Sequence, residues 1–198
     1  MQKGKLFIIS GPSGVGKTTV RNLLLERDPS LYFSVSATTR PQREGEQDGV
    51  DYHFLDMAAF RKLIEEDALL EHAEYVGNCY GTPEAPVNEM LAAGHDVLLD
   101  IEVQGAAQVA AKRPDAVRIF VIPPSWEELE RRLQGRGTDT PEKIRQRLER
   151  AKAEFAQAEH YDYYVVNDTV EHAAQECAAI FAAEHCRPAE RKHLLKAD

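Results

Sequence analysis

Cysteine is scarce in this 198-residue sequence, with three, tryptophan scarcer still, with one, and positive charge is outnumbered, with 24 Lys and Arg against 33 Asp and Glu. Cys79, Cys177 and Cys186 are odd in number and lack Cys-x-x-Cys spacing, so neither a disulfide framework nor a zinc knuckle organises the chain, and reduced thiols are the expectation. Cys177, His185, Cys186 and His193 lie close together, but their spacing fits no tetrahedral zinc pattern. A net charge of −9 argues against a protein devoted to the nucleic-acid backbone, while leaving room for a local basic pocket. Apolar runs are short. The one around residues 97–99 is far from bilayer length, and residues 6–9 are too few for a signal-peptide core, so no membrane segment and a cytoplasmic location are expected. Internal repeats and low-complexity tracts are also missing. What is there, 43% hydrophobic and 29% charged residues, is the balance of a globular protein with one domain and insertions.

Residues 5–10 are apolar and β-branched, 11–16 are glycine-rich, and 18–27 carry apolar residues at helical spacing, which predicts strand, turn and helix. Strand-like runs follow at 96–101, 116–122 and 163–166, with helical stretches such as 103–112 and 125–133. This alternation predicts an α/β fold, a parallel sheet with helices on both faces. Residues 34–82 break the rhythm, with strand-like pieces at 50–55 and 69–76, a helix near 57–66 and many turn residues, and read as an inserted subdomain. Past Gln134 the chain is charge-rich; Thr140 and Pro141 suit a cap and first helical position, and a helix is expected from 141 to about 160. Residues 188–198 form a polar tail, either a frayed terminus or a subunit contact.

Gly11-Pro12-Ser13-Gly14-Val15-Gly16-Lys17-Thr18 fits G-x-x-x-x-G-K-[ST] between a predicted strand and helix, the context this phosphate-binding loop requires. There the loop amides converge on phosphate, Lys17 reaches the β and γ oxygens of ATP, and the Thr18 hydroxyl faces Mg²⁺. Ser36, Arg40 and Arg43, with Tyr52, suggest a second phosphate site, since guanidinium forks and hydroxyls bind phosphate oxygens; a solvated loop would carry the same residues. Arg131, Arg132, Arg136, Arg145, Arg147 and Arg150 give a third, arginine-dense region, with Lys143, Arg147 and Arg150 on one helical face. Such a face can act as a lid whose cations meet a phosphoryl-transfer transition state, or it can be a solvated mixed-charge surface. Asp100 ends a buried strand, where a carboxylate could hold Mg²⁺ through water. No general base accompanies these features. An acceptor that is itself a phosphate needs none, its second pKa of about 6 leaving it mostly ionised at pH 7. The residues alone therefore lead to a nucleoside-monophosphate kinase-like enzyme.

The segments at 9–18, 33–40, 49–52, 70–74, 77–82, 99–106, 135–138 and 166–168, taken in this order, resemble the guanylate kinase family, with the match running from about 4 to 183. The resemblance implies a P-loop NTPase-type core (4–33, 83–125 and 162–183), a GMP-binding subdomain (34–82), a helical lid (126–161) and a polar tail (184–198). It implies transfer from Mg·ATP to GMP, giving ADP and GDP, for GDP and GTP supply in purine nucleotide metabolism. By position, Ser36, Arg40, Arg43, Tyr52 and Tyr80 would hold the GMP phosphate, and Glu71, Thr82 and Glu102 would read guanine. Guanine offers N1–H and a 2-amino group side by side, which one carboxylate can accept together, and adenine has no such pair. Lys17, Arg136 and Arg147, with Arg132, resemble the transition-state cations, Asn167 an adenine-side contact, and Thr18 and Asp100 the Mg²⁺ side. Glu102 stands where the family commonly has Asp, Cys79 where it commonly has Tyr, Pro41-Gln42 reverses the usual proline placement, and a second acidic residue after Asn167-Asp168 is missing. These departures imply tuning. Two other readings stay in competition, a P-loop kinase for a phosphorylated sugar and a catalytically silent binding module, and the sequence leaves dGMP use and self-association open.

Overall fold

The computed structural model describes residues 3–75, 77–135 and 140–195, with His193 described in its backbone only. Two compact units emerge: the first comprises Ile9–Pro29 and the chain from Val117 onward, the second Lys3–Ile8 and Ser30–Ala116. Strand β1 (Leu6–Ser10) carries residues of both and is the middle strand of a five-stranded sheet. All five of its residues are buried, as the apolar run of the first four demands of a strand covered on both faces.

In the first unit, β1 leads through the glycine-rich loop into α1 (Lys17–Arg27). Continuing within the second unit, β2 (Tyr32–Phe33), β3 (Ala37–Thr38), β4 (His53–Phe54), α2 (Met57–Glu65), β5 (Leu69–Tyr75), β6 (Asn78–Pro83), α3 (Glu84–Ala93), β7 (Val97–Asp100) and α4 (Val103–Lys112) follow in order. The chain then returns to the first unit with β8 (Val117–Ile122), α5 (Trp126–Gln134), α6 (Pro141–Phe155), β9 (Tyr163–Val166), α7 (Val170–Glu184) and a short α8 (Pro188–Arg191). The large sheet has the order β2-β7-β1-β8-β9, and both β2 with β7 and β8 with β9 pair in parallel. A parallel sheet flanked by helices is thus present, as the alternation of the sequence predicted. A second, four-stranded sheet, β4-β3-β6-β5, occupies the segment read from the sequence as an insertion; there β6 runs antiparallel to both β3 and β5.

Local chemistry explains most boundaries. Thr140 caps α6 by accepting from the Lys143 N–H, and Pro141 takes the first turn, where a missing N–H costs nothing. Ser125 caps α5 and Thr169 caps α7 in the same manner, each cap contributing about 1 kcal/mol. α5 and α6 are joined through Leu129, Leu133 and Ala151, with Trp126, Ile144, Leu148 and Phe155 around them. Fully burying one such leucine contributes about 1.5–3 kcal/mol, so this cluster outweighs the caps.

Three expectations need correction. The strand over 50–55 shrinks to His53–Phe54, because the preceding residues close a turn: the Val50 and Asp51 N–H groups both donate to the Gln47 carbonyl, Gly49 has φ +75, and Val50 is 61% exposed. The helix expected to about 160 stops at Phe155; bonds of the i to i−3 type then take over, from Gln157 N–H to the Glu154 carbonyl and from His160 N–H to that of Gln157. Residues 188–195 of the expected polar tail form α8 and a 3₁₀ turn. Sequence reading also passed over α3 and α7.

Candidate active site

The glycine-rich loop lies wholly in the first unit, and its glycines are dictated by their surroundings. Gly11 has φ +149, and a Cβ there would sit 2.3 Å from the Val121 carbonyl oxygen. Gly16, just ahead of α1, has φ +96, and its Cβ would meet the Asn167 amide nitrogen at 2.6 Å. No other residue fits either place without moving backbone or Asn167. Lys17 Nζ donates to the Gly11 carbonyl at 2.7 Å, spanning the loop it would share with a triphosphate. Thr18 is exposed in the first turn of α1.

Several side chains converge on the same loop. Asn167 is buried, and its Nδ2 donates to the Val15 carbonyl at 2.7 Å. Arg132 donates from Nη1 to that carbonyl at 3.3 Å, from Nη2 to the Asn167 carbonyl at 2.9 Å and from Nε to Glu128 at 2.7 Å. It therefore braces the loop with donors engaged. Glu128, beside Arg131 and Arg132, is held down to about 2. Arg147 Nη2 donates to Ser13 Oγ at 2.8 Å. Glu154, buried on α6, accepts from the Ser13 N–H at 3.3 Å and from Arg150 Nε at 3.0 Å. Arg136 lies outside the described residues.

The second unit gathers the acceptor-side candidates. Arg40 Nη2 donates to Glu46 Oε1 at 2.7 Å and Nη1 to the Pro41 carbonyl at 2.8 Å, while its guanidinium lies 5.4 Å from the Tyr52 ring centroid and 5.7 Å from that of Phe54. Tyr52 and Tyr80 meet edge to face at 6.0 Å. Burial, and then Tyr80, push the Tyr52 hydroxyl above its ordinary pKa, so it stays a hydrogen-bond donor at neutral pH. Arg43 is exposed, and its backbone N–H donates to Glu46 Oε2 at 2.8 Å. Glu46 thus ties both arginine positions together, and those two contacts hold its carboxyl below the usual range. Sequence reading assigned Glu46 no role; the available signal was a carboxylate six residues after Arg40 in a turn-rich loop. Ser36 is half-buried at the mouth of β3, its carbonyl accepting from the His53 N–H.

Glu71 is 7% exposed and Thr82 fully buried; they face each other across the β5–β6 pairing, and the threonine Oγ1 donates to Glu71 Oε1 at 2.8 Å. Burial pushes the Glu71 carboxyl above the usual carboxylate range, Thr82 opposes that, and the negative charge of Glu102 adds to it. Glu102 is exposed at the N-cap of α4. Cys79 has its backbone tied to Thr39 and Thr38, and its side chain packs against the small core of Ala37, Phe60 and Leu69. Asp100, at the end of β7, contributes a charge felt by Tyr52.

In the first unit the Thr18 hydroxyl, and in the second the Asp100 carboxylate, is each a hard oxygen donor of the kind Mg²⁺ takes beside phosphate oxygens and water. Among the described residues no group of three His, Cys, Asp or Glu gathers as a protein-only metal cage, and no helix is long and apolar enough to cross a membrane.

A family model described as guanylate kinase matches residues 3–184. A guanylate kinase of Thermus thermophilus is 56% identical over 93% of this chain and 84% of its own length, and one of Streptococcus agalactiae is 57% identical over 94% and 90%. Among solved structures, the crystal structure of guanylate kinase from Anaplasma phagocytophilum aligns with a TM-score of 0.76 at 36% identity, covering 94% of this chain and 89% of that one.

Proposed function

The chain belongs to the guanylate kinase family, and from that premise we propose how its two units divide the transfer of the γ-phosphoryl group of ATP to GMP. It is a kinase: GMP is phosphorylated by ATP, giving ADP and GDP. We assign ATP to the first unit. The amides of residues 11–16 cradle the phosphates, Lys17 releases the Gly11 carbonyl to neutralise the β and γ oxygens, and Asn167 flanks the adenine side. Arg147, already at the loop through Ser13, and Arg136 supply positive charge where the transferring phosphoryl group gathers negative charge. Arg132 serves first as the brace of the loop. Thr18 and, through water, Asp100 are the residues that would hold Mg²⁺, which would supply further neutralisation of the β and γ oxygens.

GMP belongs to the second unit. Arg40, Arg43, Ser36, Tyr52 and Tyr80 hold its phosphate, with Glu46 aiming Arg40. Glu71 accepts guanine N1–H and the 2-amino group, Thr82 fixes the carboxylate, and Glu102 completes the reading. The attacking phosphate oxygen is already ionised, so the protein positions and neutralises and moves no proton. The observation that carries this assignment is the buried Glu71–Thr82 pair in the same unit as an arginine framed by aromatic rings. Neither a sugar-phosphate kinase nor a silent binding module calls for a guanine reader together with an intact Gly16, Lys17 and Thr18. The division into core (4–33, 83–125, 162–183), GMP subdomain (34–82), lid (126–161) and tail (184–198), like the cytoplasmic location, is part of this proposal.

The test is ADP release from Mg·ATP with GMP, AMP, CMP, UMP or no acceptor, and Lys17→Ala as the contamination control. Fast turnover with GMP alone, lost in the variant, is expected; equal turnover with AMP would sink the assignment of Glu71, Thr82 and Glu102.

A further inference from the structure

One face of α4 lies on β5, and three of its residues at helical spacing make that contact: Gly105, Gln108 and Lys112. Gln108 receives the His72 N–H on Oε1 at 3.1 Å and donates from Nε2 to the His72 carbonyl at 3.0 Å. Lys112 Nζ donates to the Leu69 carbonyl at 2.8 Å and to Asp67 at 2.5 Å. β5 is therefore tied to α4 on either side of Glu71. Over the remaining position, Gly105, lies the Glu71 side chain itself: a Cβ built there would stand 2.6 Å from Oε2, 3.0 Å from Cδ and 3.3 Å from Cγ.

The Gly105 backbone does not ask for glycine. Its φ is not among the positive ones, and glycine is a poorer helix former than alanine, which occupies Ala106, Ala107, Ala110 and Ala111 of the same helix. The group that excludes a methyl is the carboxylate, held from the other side by Thr82 Oγ1. We infer that Gly105 is a specificity-determining positioning residue: its missing side chain makes the slot that fixes Glu71 Oε2, and the Gln108 and Lys112 ties hold β5 so that this slot and the carboxylate stay in register. The inference rests on Glu71 being the guanine reader. A methyl at 105 acts on the carboxylate, the movable end of a side chain, and leaves the backbone of both elements in place. Its effect falls on recognition of the base and not on the fold.

The experiment measures KM for GMP, KM for ATP, kcat, the kcat/KM ratio of GMP to IMP (which keeps N1–H and lacks the 2-amino group) and the melting temperature, for the parent, Gly105→Ala, Glu71→Ala, the double variant and Gln108→Ala. Gly105→Ala is expected to raise KM for GMP roughly tenfold and to narrow the GMP to IMP ratio, the scale of one displaced hydrogen-bond partner, with KM for ATP unchanged and melting no lower than the parent. In the Glu71→Ala background the same substitution adds nothing, because the group it displaces is gone. Gln108→Ala, at an exposed position, raises KM for GMP about threefold with KM for ATP unchanged. If Glu71→Ala collapses the ratio while Gly105→Ala leaves it at the parent value, the inference is overturned and the reader stands. Should Glu71→Ala leave the ratio intact, the reader assignment fails and takes the inference with it. A Gly105→Ala chain that fails to fold, or melts below the parent with both substrates weakened alike, overturns the positioning role in favour of plain packing.

Discussion

The glycine-rich loop of the first unit and the arginine–tyrosine pocket of the second are both assigned to phosphate, and they reach that capacity by opposite routes. The loop draws its groups from eight consecutive residues, 11–18, and is stiffened from behind by Asn167 and Arg132 acting on the Val15 carbonyl. The specificity proposed for it is for the phosphate chain, whose charge backbone amides and one lysine can match. The pocket draws on β3, the 40–46 loop, β4, β5 and β6, and its key cation is already paired with an acid, Glu46. The specificity proposed for it is for one base, with the buried Glu71 carboxylate as the reader. Backbone recognition can be contiguous, whereas side-chain recognition of a base has to be assembled from residues that face one another across strands.

Removing Lys17 tests the first half of the contrast and has the largest expected effect. Lys17→Ala should lower kcat on the order of 10³-fold while direct binding of GMP, followed by calorimetry, stays within about twofold of the parent. Glu71→Gln addresses the other half: the amide presents N–H toward guanine donors, so KM for GMP should rise roughly 10²-fold with KM for ATP unchanged in steady-state kinetics. Comparable losses for both substrates in either variant would dissolve the distinction between the units. Glu46→Gln sharpens the contrast further, since the loop has no such acid aiming its lysine; KM for GMP should rise about fivefold as Arg40 loses its charge-assisted partner, and a fall in KM would show that Glu46 competes with phosphate instead. The smallest effect is in pH. On the proposed reading guanine donors need the ionised Glu71, whose pKa is raised by burial; as pH falls through that raised value the carboxyl takes up a proton and KM for GMP should climb, about threefold over half a pH unit, before an ordinary carboxylate would respond. A pH profile with KM for ATP climbing in parallel would assign the effect to something other than Glu71.

The same contrast explains what could be read from the sequence. The loop, β1 and α1 are local: the motif, the apolar run and the helical spacing lie side by side, and the structure differs from expectation by one residue at the start of each element, Leu6 for β1 and Lys17 for α1. The cap at Thr140 and Pro141 was legible for the same reason. The arginines and Tyr52 of the pocket suggested a phosphate site from the residues themselves, but its guanine readers were legible only through family resemblance, because nothing within residues 69–75 says that Glu71 faces Thr82, eleven residues on across a hairpin. Gly105 was not legible as a site feature. Its reason is another residue's carboxylate, and no local pattern encodes that. Glu154 likewise sits in a charged helix whose spacing suggests a solvated face, and burial against the Ser13 amide becomes visible only in three dimensions. The shortened β4 misled in the reverse sense, since Val50 is apolar yet exposed on a turn.

β5 is the last strand of the order β4-β3-β6-β5, and the outer edge of a sheet is where an extended segment of another molecule can add itself as a new strand. A glutamine amide offers one donor and one acceptor, the same pair as a peptide unit. By placing that pair on His72, Gln108 fills one rung of the ladder that an intruding chain would need, and Lys112 takes the Leu69 carbonyl. The helix on which Glu71 rests thereby also occupies backbone groups of this edge that an added strand would have to use, with two surface side chains.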